Sequence, residues 1–571
     1  MTMDIRQAPP AYLLTFTAAI ITGAFLYRNL YYRRFIQNAH IPQLPPSLLW
    51  GHIKVFYDYT KQGKLDRHPD SIFLDMNRAL GQPAIMLVDN WPVVPPMVVV
   101  ASHHVAEQIS KPSNTFPYSA PKSWSVDHIK PLIGHRSILL KQARDPFCVN
   151  RTSLIYRQYE EWKAIRRRYN PGFASQHLMT LLPVIMDKMT TYLENIDSFV
   201  RSGKTFSLDE LTTNLTFDII GAVSISEDMH AQRANQQGEL IRMFKELIKT
   251  FADDKLQFPW WMAPLPYLRR RKLGQRISER LRDVVRRYFA AMKAREKDHE
   301  EPDKLRTIVA LSLQGVDTLT PEVLEETCDQ LKTFFFAGHD STSAILDWNI
   351  YELFRTPRVL KGVRDELDSI FGENGARDPA IVCAKLLAPG GVELIHRMNC
   401  LEGGDAPAPA SGLHSLGPHP VTTPDGGTYN LDGCWIYLNH NLIHRDRSVY
   451  GDSVDDFEPE RWLLSSRADA PPVSSWRPFE RGPRSCIGQE LANIEIRVIV
   501  AMLAQRYEFT KVGVGELSTD HHGRPTLNDK GQFHVKSEMY NTIKITGKPV
   551  DGMMMKVKIA STLRVLLSRS S

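Results

Sequence analysis

The segment Arg477–Asn493, RPFERGPRSCIGQELAN, sets one of the chain's six cysteines between two glycines and among three arginines, and a helical pattern begins directly after it. Cys486 in that setting has the makings of a metal-bound thiolate. Such a ligand needs donors that keep the sulfur anionic and room for a flat macrocycle to approach the backbone. Gly482 can take a positive φ and turn the loop beneath the metal. Gly488 has no side chain where a ring would press on the start of the next helix. Phe479 can shield the sulfur from water, and Arg484 can pair with a carboxylate of the macrocycle. Leu491, Ile494, Val498, Ile499, Met502 and Leu503 then mark one face of a buried helix, whose N-terminal amides favour the anion. Taken alone, an inert core cysteine ahead of a helix fits the same residues.

A second group of reactive types lies at 320–357. Thr320 is a good N-cap, Pro321 suits the first turn, and Glu322, Glu325 and Glu326 complement the helix dipole. Pro357 ends the run. The helix so defined is about 50 Å long, enough to cross a large domain. Its middle reads Ala337-Gly338-His339-Asp340-Ser341-Thr342. Gly338 would let a flat group or dioxygen approach the backbone, and Asp340 and Ser341 put an acid and an alcohol beside that gap. A buried polar kink is the alternative. Farther upstream, Trp162 and Arg166 stand one helical turn apart on one face; with Arg167 and Arg168 following, an exposed basic helix also fits.

Together these residues resemble the cytochrome P450 family. Phe479, Gly482, Arg484, Cys486 and Gly488 fill every defined position of its FxxGxRxCxG signature, and RGPRSCIGQELA is similar to the form common in fungal members. The 337–342 stretch resembles the family's oxygen-activation motif, with Ser341 where threonine is usual. Serine keeps the hydroxyl but loses the methyl that stiffens χ1; some leakage to peroxide is expected. Trp162 and Arg166 match WxxxR, Pro459–Trp462 resembles the PERF/PERW segment, and LNHNLIHRD around His444 and Arg445 is also P450-like. The likeness runs from about Pro42 to Lys558.

The resemblance implies a mainly α fold with small β-sheets, the cytochrome P450 fold. It implies heme b (iron protoporphyrin IX) ligated by Cys486, in a cofactor site that includes Phe479, Gly482, Arg484, Gly488, Trp162, Arg166, Ala337 and Gly338. Asp340, Ser341 and Thr342 would handle protons. The activity implied is oxidation (hydroxylation or epoxidation) of a hydrophobic small molecule with O2, such as a polyketide or terpenoid of fungal secondary metabolism. NADPH acts only indirectly, through NADPH-cytochrome P450 reductase, with cytochrome b5 a second electron donor. Arg477 and Arg481 would lie on the proximal side and attract an acidic reductase. Two other readings are an O2-independent heme-thiolate isomerase or dehydratase, against which the Asp340–Ser341 pair argues, and a heme-deficient P450-like membrane protein.

The elements around these sites follow from composition. The 571 residues carry a formal charge of +6. This mild, dispersed basic excess suits a membrane surface or acidic partner and does not support a nucleic-acid partner. Cys148, Cys328, Cys383, Cys400, Cys434 and Cys486 form no CxxC pair, which fits a reducing compartment. Residues 1–10 are expected to be lumenal, and 11–32 to form a single transmembrane anchor ahead of Arg33 and Arg34. Residues 33–46 should be a basic, proline-stiffened hinge, 47–558 a cytosolic heme domain at the endoplasmic reticulum membrane, and 559–571 a tail. Phe258–Lys272 places Trp260, Trp261 and Met262 ahead of basic residues, as at a bilayer interface or in a core loop. The segment 118–133 is expected to cover the pocket, as in the family.

The pattern breaks at about 380–412. The family's ExxR helix belongs there, but MNCLEGGDAPAPASGLH cannot form a helix interior. Glu352 and Arg355 have the spacing, too early, at the end of the long helix. One choice of codons for Gly403–Ala408, read one nucleotide later, gives Ala-Glu-Thr-Leu-Arg, which points to a reading-frame or splice error. As written, Arg461 is expected to lack its partners, which threatens heme incorporation. An insertion is also expected within Ala143–Gln158.

Overall fold

The structure, a computed structural model, describes residues 10–112, 129–139, 151–253, 264–297, 307–372, 412–414, 420–462, 470–544 and 546–560. The segment 380–411, Cys148, Cys383, Cys400, Trp260, Trp261, Met262 and most of 118–133 lie outside these residues.

The long helix forms where the caps put it. It runs Pro321–Arg355, with Thr320 Oγ1 accepting from the Val323 amide at 3.4 Å and Pro321 in the first turn. Most of it is buried on all sides, as a helix through the middle of a large core must be. Its main neighbour is Leu208–Ile225, itself almost wholly buried. Gly338 serves this contact: a Cβ there would lie 2.9 Å from Ile220 Cγ1. Its small size brings two buried helices together, while Gly338 itself stays half-buried beside exposed Ala337.

The helix after the cysteine also forms as read, Gln489–Arg506, with Leu491, Ile494, Val498, Ile499, Met502 and Leu503 buried. It packs against the central helix. Both contribute to one large apolar core, while two smaller cores flank a four-stranded sheet. That sheet runs Ile85–Val88, Met97–Val100, Trp435–Leu438, Gly412–His414; the inner pair is parallel and the outer pairs are antiparallel. A three-stranded sheet joins Phe206–Ser207, Met554–Ile559 and Tyr507–Lys511. Between the last two, the hairpin strands Asn541–Ile543 and Gly547–Pro549 reach the central helix.

The N-terminus departs from expectation. Pro10–Tyr32 is helical, yet among the described residues no helix is long and apolar enough to cross a membrane. Thr15, Thr17, Thr22, Gly23, Arg28, Asn29 and the tyrosines dilute its apolar run. Nor is Arg34 a free charge on the membrane side. It is buried and ion-paired with Asp89, and it donates to the Trp91 carbonyl at 2.5 Å. The residues read as a hinge are likewise docked: Ile41 is buried and the Pro42 carbonyl accepts from the Leu87 amide at 2.8 Å.

Candidate functional site

The cysteine loop is built by backbone geometry. Gly482 has φ +79°, and a Cβ there would lie 2.3 Å from the Ser110 carbonyl oxygen, so both conformation and space require glycine. The loop closes with the Ser485 amide on the Gly482 carbonyl at 3.1 Å and the Cys486 amide on the Phe479 carbonyl at 2.9 Å. Phe479 is half-buried beside Trp476.

Cys486 keeps an exposed side chain among its densely packed neighbours. Its surroundings pull in two directions. Burial pushes the thiol above its ordinary value, while the Gly488 and Gln489 amides and the Arg166 guanidinium pull it back. Cys328 and Cys434 are also buried but are pushed up to about 12 and about 11, with burial the largest cause in each case. Helix-terminal amides aimed at sulfur set Cys486 apart from these two. A Cβ on Gly488 would find only Cys486 Sγ, at 3.9 Å.

Trp162 and Arg166 come to the same place on the helix Arg151–Tyr169, within the region suspected as an insertion only at its start. Arg166 donates to the Ser485 carbonyl at 2.8 Å and to Asn170 Oδ1 at 2.8 Å. The Arg484 guanidinium stacks 3.9 Å over the buried Trp162 ring and donates to the Ile138 carbonyl at 3.5 Å. Thus Cys486, Gly488, Arg484, Trp162 and Arg166 converge as the sequence motifs require. They fit a heme: one sulfur held by amides, two guanidiniums and an indole for the macrocycle's carboxylates, and a glycine leaving the sulfur's side open.

The central helix divides its expected site residues between two faces. Ala337 is exposed and Ser341 half-exposed on an otherwise buried helix, and Ser341 Oγ donates back to the Ala337 carbonyl at 2.7 Å. Asp340 and Thr342 are buried. Asp340 bonds the Thr546 hydroxyl and lies 3.4 Å from Lys548 Nζ, both on the C-terminal hairpin. Lys548 also reaches Asp209 at 2.7 Å and Ser343 at 2.6 Å. Burial works against the Lys548 charge, but Asp209, Asp340 and Asp347 outweigh it and raise its pKa. Burial pushes Asp209 up, and Lys548 and Lys544 more than reverse this. Asp347 stays far above the carboxylate range, through burial first and the Asp209 charge second. Sequence reasoning missed Lys548, because its partners lie more than 200 residues upstream and no motif ties it to them.

One further expectation changes. Arg477 is fully buried and bound to Glu107 at 2.7 Å and to Glu480, so it cannot present its charge to a reductase; Arg481 is half-buried against Glu107 at 3.2 Å. The partners expected for Arg461, those of the ExxR helix, lie outside the described residues, and among the described residues Arg461 meets others. It donates to the Ser453 carbonyl at 2.7 Å and pairs with Glu458 at 3.2 Å, while Arg358 binds Glu460 and the Phe457 carbonyl. Glu352 and Arg355 are paired at 3.5 Å.

The fold and this site together define a class. Residues 96–383 and 427–534 match the family described as Cytochrome P450, and the chain belongs to that family, as an enzyme of its monooxygenase class. The matched ranges leave 384–426 aside. The chain is 28% identical to cytochrome P450 monooxygenase acrF of Aspergillus aculeatus, over 86% of this chain and 97% of that protein. It is 25% identical to cytochrome P450 monooxygenase polC of Polytolypa hystricis, over 88% of each. The crystal structure of the cytochrome P450DA heme domain shares the fold at a TM-score of 0.64 and 16% identity, covering 92% of this chain and 97% of that one.

Proposed function

We propose that the protein is a heme-thiolate monooxygenase that uses O2, and electrons passed from NADPH by a reductase, to hydroxylate or epoxidise a hydrophobic small molecule of fungal secondary metabolism. The observation that carries this reading is the convergence of Cys486, the Gly488 and Gln489 amides, Arg166, Arg484 and Trp162. Bound to Cys486, the heme supplies oxygen activation, to which thiolate electron density contributes. The chain's residues do the rest. Once the sulfur is bound to iron, Arg166 and the two amides would stabilise its negative charge. Arg166 and Arg484 take the cofactor's carboxylates. Ala337 and Ser341 form the open wall, with the Ser341 hydroxyl holding a proton at the Ala337 carbonyl. Asp340, the adjacent residue on the helix, faces Thr546 and Lys548 instead.

An endoplasmic reticulum location belongs to the same proposal. It rests on exposed Leu14, Phe16, Ile20, Ile21, Phe25 and Leu26 of the N-terminal helix, which suit a lipid interface without a spanning helix. Purified protein with a fungal NADPH-cytochrome P450 reductase should consume O2 and NADPH together and oxidise apolar test substrates. Turnover that proceeds without O2 would instead support an isomerase or dehydratase.

A further inference from the structure

The segment before the cysteine holds a polar cluster that the heme site does not use. Arg477, with no exposed surface, donates to Glu107 Oε2 at 2.7 Å and to Ser110 Oγ at 2.7 Å, and is ion-paired with Glu480. Ser110 Oγ in turn donates to Glu480 Oε1 at 2.8 Å. His440 Nε2 meets Glu480 Oε2 at 2.7 Å, and His444 Nε2 accepts the Arg477 amide at 2.9 Å. So the two histidines of LNHNLIHRD, one turn apart, grip the segment from one side. The helix His103–Ser110, through Glu107 and Ser110, grips it from the other.

Two observations mark this as more than packing. Glu480 holds φ +55°, a left-handed conformation that costs a bulky residue about 1 kcal/mol or more unless its surroundings impose it. The residue before it, Phe479, supplies the carbonyl that accepts the Cys486 amide. Any shift of Glu480 therefore moves the acceptor that fixes the cysteine backbone.

We propose that Glu107, Arg477, Glu480 and His440 form a buried charge clamp that positions the cysteine loop and sets the electrostatic field at the Cys486 sulfur. This rests on Cys486 being the heme ligand. All four are positioning residues, since none is placed against the sulfur or the cofactor. The Glu107 and Glu480 carboxylates and the Arg477 guanidinium act with opposite sign. Removing an anion leaves excess positive charge behind the loop, which favours the reduced heme; removing a cation does the reverse. A role limited to packing ties no direction of shift to the sign of the charge removed.

The experiment is a redox titration of the heme-loaded enzyme and of Glu480→Gln, Glu107→Gln, Arg477→Met and Arg481→Gln, alongside the carbon monoxide difference spectrum and hydrogen exchange at the Cys486 amide. We expect the two Glu variants to titrate at higher potential than the parent and the two Arg variants at lower potential. Glu480→Gln should exchange the Cys486 amide at least tenfold faster, with Glu480→Asp recovering part of the protection. Because Arg477→Met sits in the centre of the cluster and can fail to fold, the half-buried Arg481 carries the cationic arm independently. Shifts of one sign across all variants, or none, in proteins that keep the thiolate carbon monoxide band, overturn the clamp alone. A parent without that band overturns the ligand assignment and the clamp with it.

Discussion

Replacing Lys548 with methionine removes the cation at the centre of the second buried network and leaves its carboxylates behind. Lys548 Nζ lies 2.7 Å from Asp209 and 3.4 Å from Asp340, with side-chain exposures of 3%, 13% and 10%. Removing one partner of a buried pair costs about 3–5 kcal/mol, because the remaining charge is uncompensated. Two carboxylates lose the same partner here, and Ser343 loses an acceptor contact at 2.6 Å, so the upper half of that range is expected for Lys548→Met. The pH dependence follows from the shifts. Asp209 is depressed in the folded state, so its pairing stabilises above the unfolded value of about 3.9 and is lost as pH falls through the folded value. Lys548 is raised, so its contribution is complete below about pH 10.4 and is lost only as pH rises past the folded value. The deficit of Lys548→Met is therefore full at neutral pH and narrows in acid. Urea denaturation at the two pH values measures it, and a double-mutant cycle with Asp209→Asn should show coupling of more than about 1 kcal/mol. A neutral-pH deficit below about 1 kcal/mol, or full additivity with Asp209→Asn, would refute the network as described.

Other outcomes follow from the same geometry. Gly338→Ala should destabilise by about 1–3 kcal/mol through contact with Ile220, and Ile220→Ala should relieve much of this in the double variant; failure of that rescue in unfolding experiments would contradict the tight contact with Ile220. Gly482→Ala should lose heme-binding protein almost entirely, since the new Cβ meets the Ser110 carbonyl in a left-handed turn; normal heme content in purified protein would contradict this. Arg166→Met should weaken heme retention at least tenfold, read as the rate of heme transfer to an acceptor protein, because it takes away a cation near Cys486. Heme uptake should release a proton at neutral pH, since burial holds the free Cys486 thiol above its ordinary value; indicator-dye titration showing no release would count against thiolate ligation.

How much of this the sequence disclosed depended on whether neighbours were local. The helix Pro321–Arg355 was legible because its cap, first-turn proline and stop lie in one stretch. So was the cysteine loop, whose turn at Gly482 and helix at Gln489 are set by adjacent residues. Long-range pairing was not legible. The partners of Arg477 come from residues 107–110 and 440–444, and this turned an expected surface charge into a buried one. The order Asp340-Ser341 is plain in the sequence, but the orientation of Asp340 depends on Thr546 and Lys548, some 200 residues away. The N-terminal stretch was read as spanning on run length, where tyrosines, threonines and an arginine lower its mean hydropathy.

The most direct measurement is the reduced carbon monoxide difference spectrum of the full chain and of Cys486→Ser. The parent should show the band of a thiolate-ligated heme, and the variant should have none. A band that survives the substitution would mean that iron takes its sulfur from elsewhere, and the site built here around residue 486 would not stand.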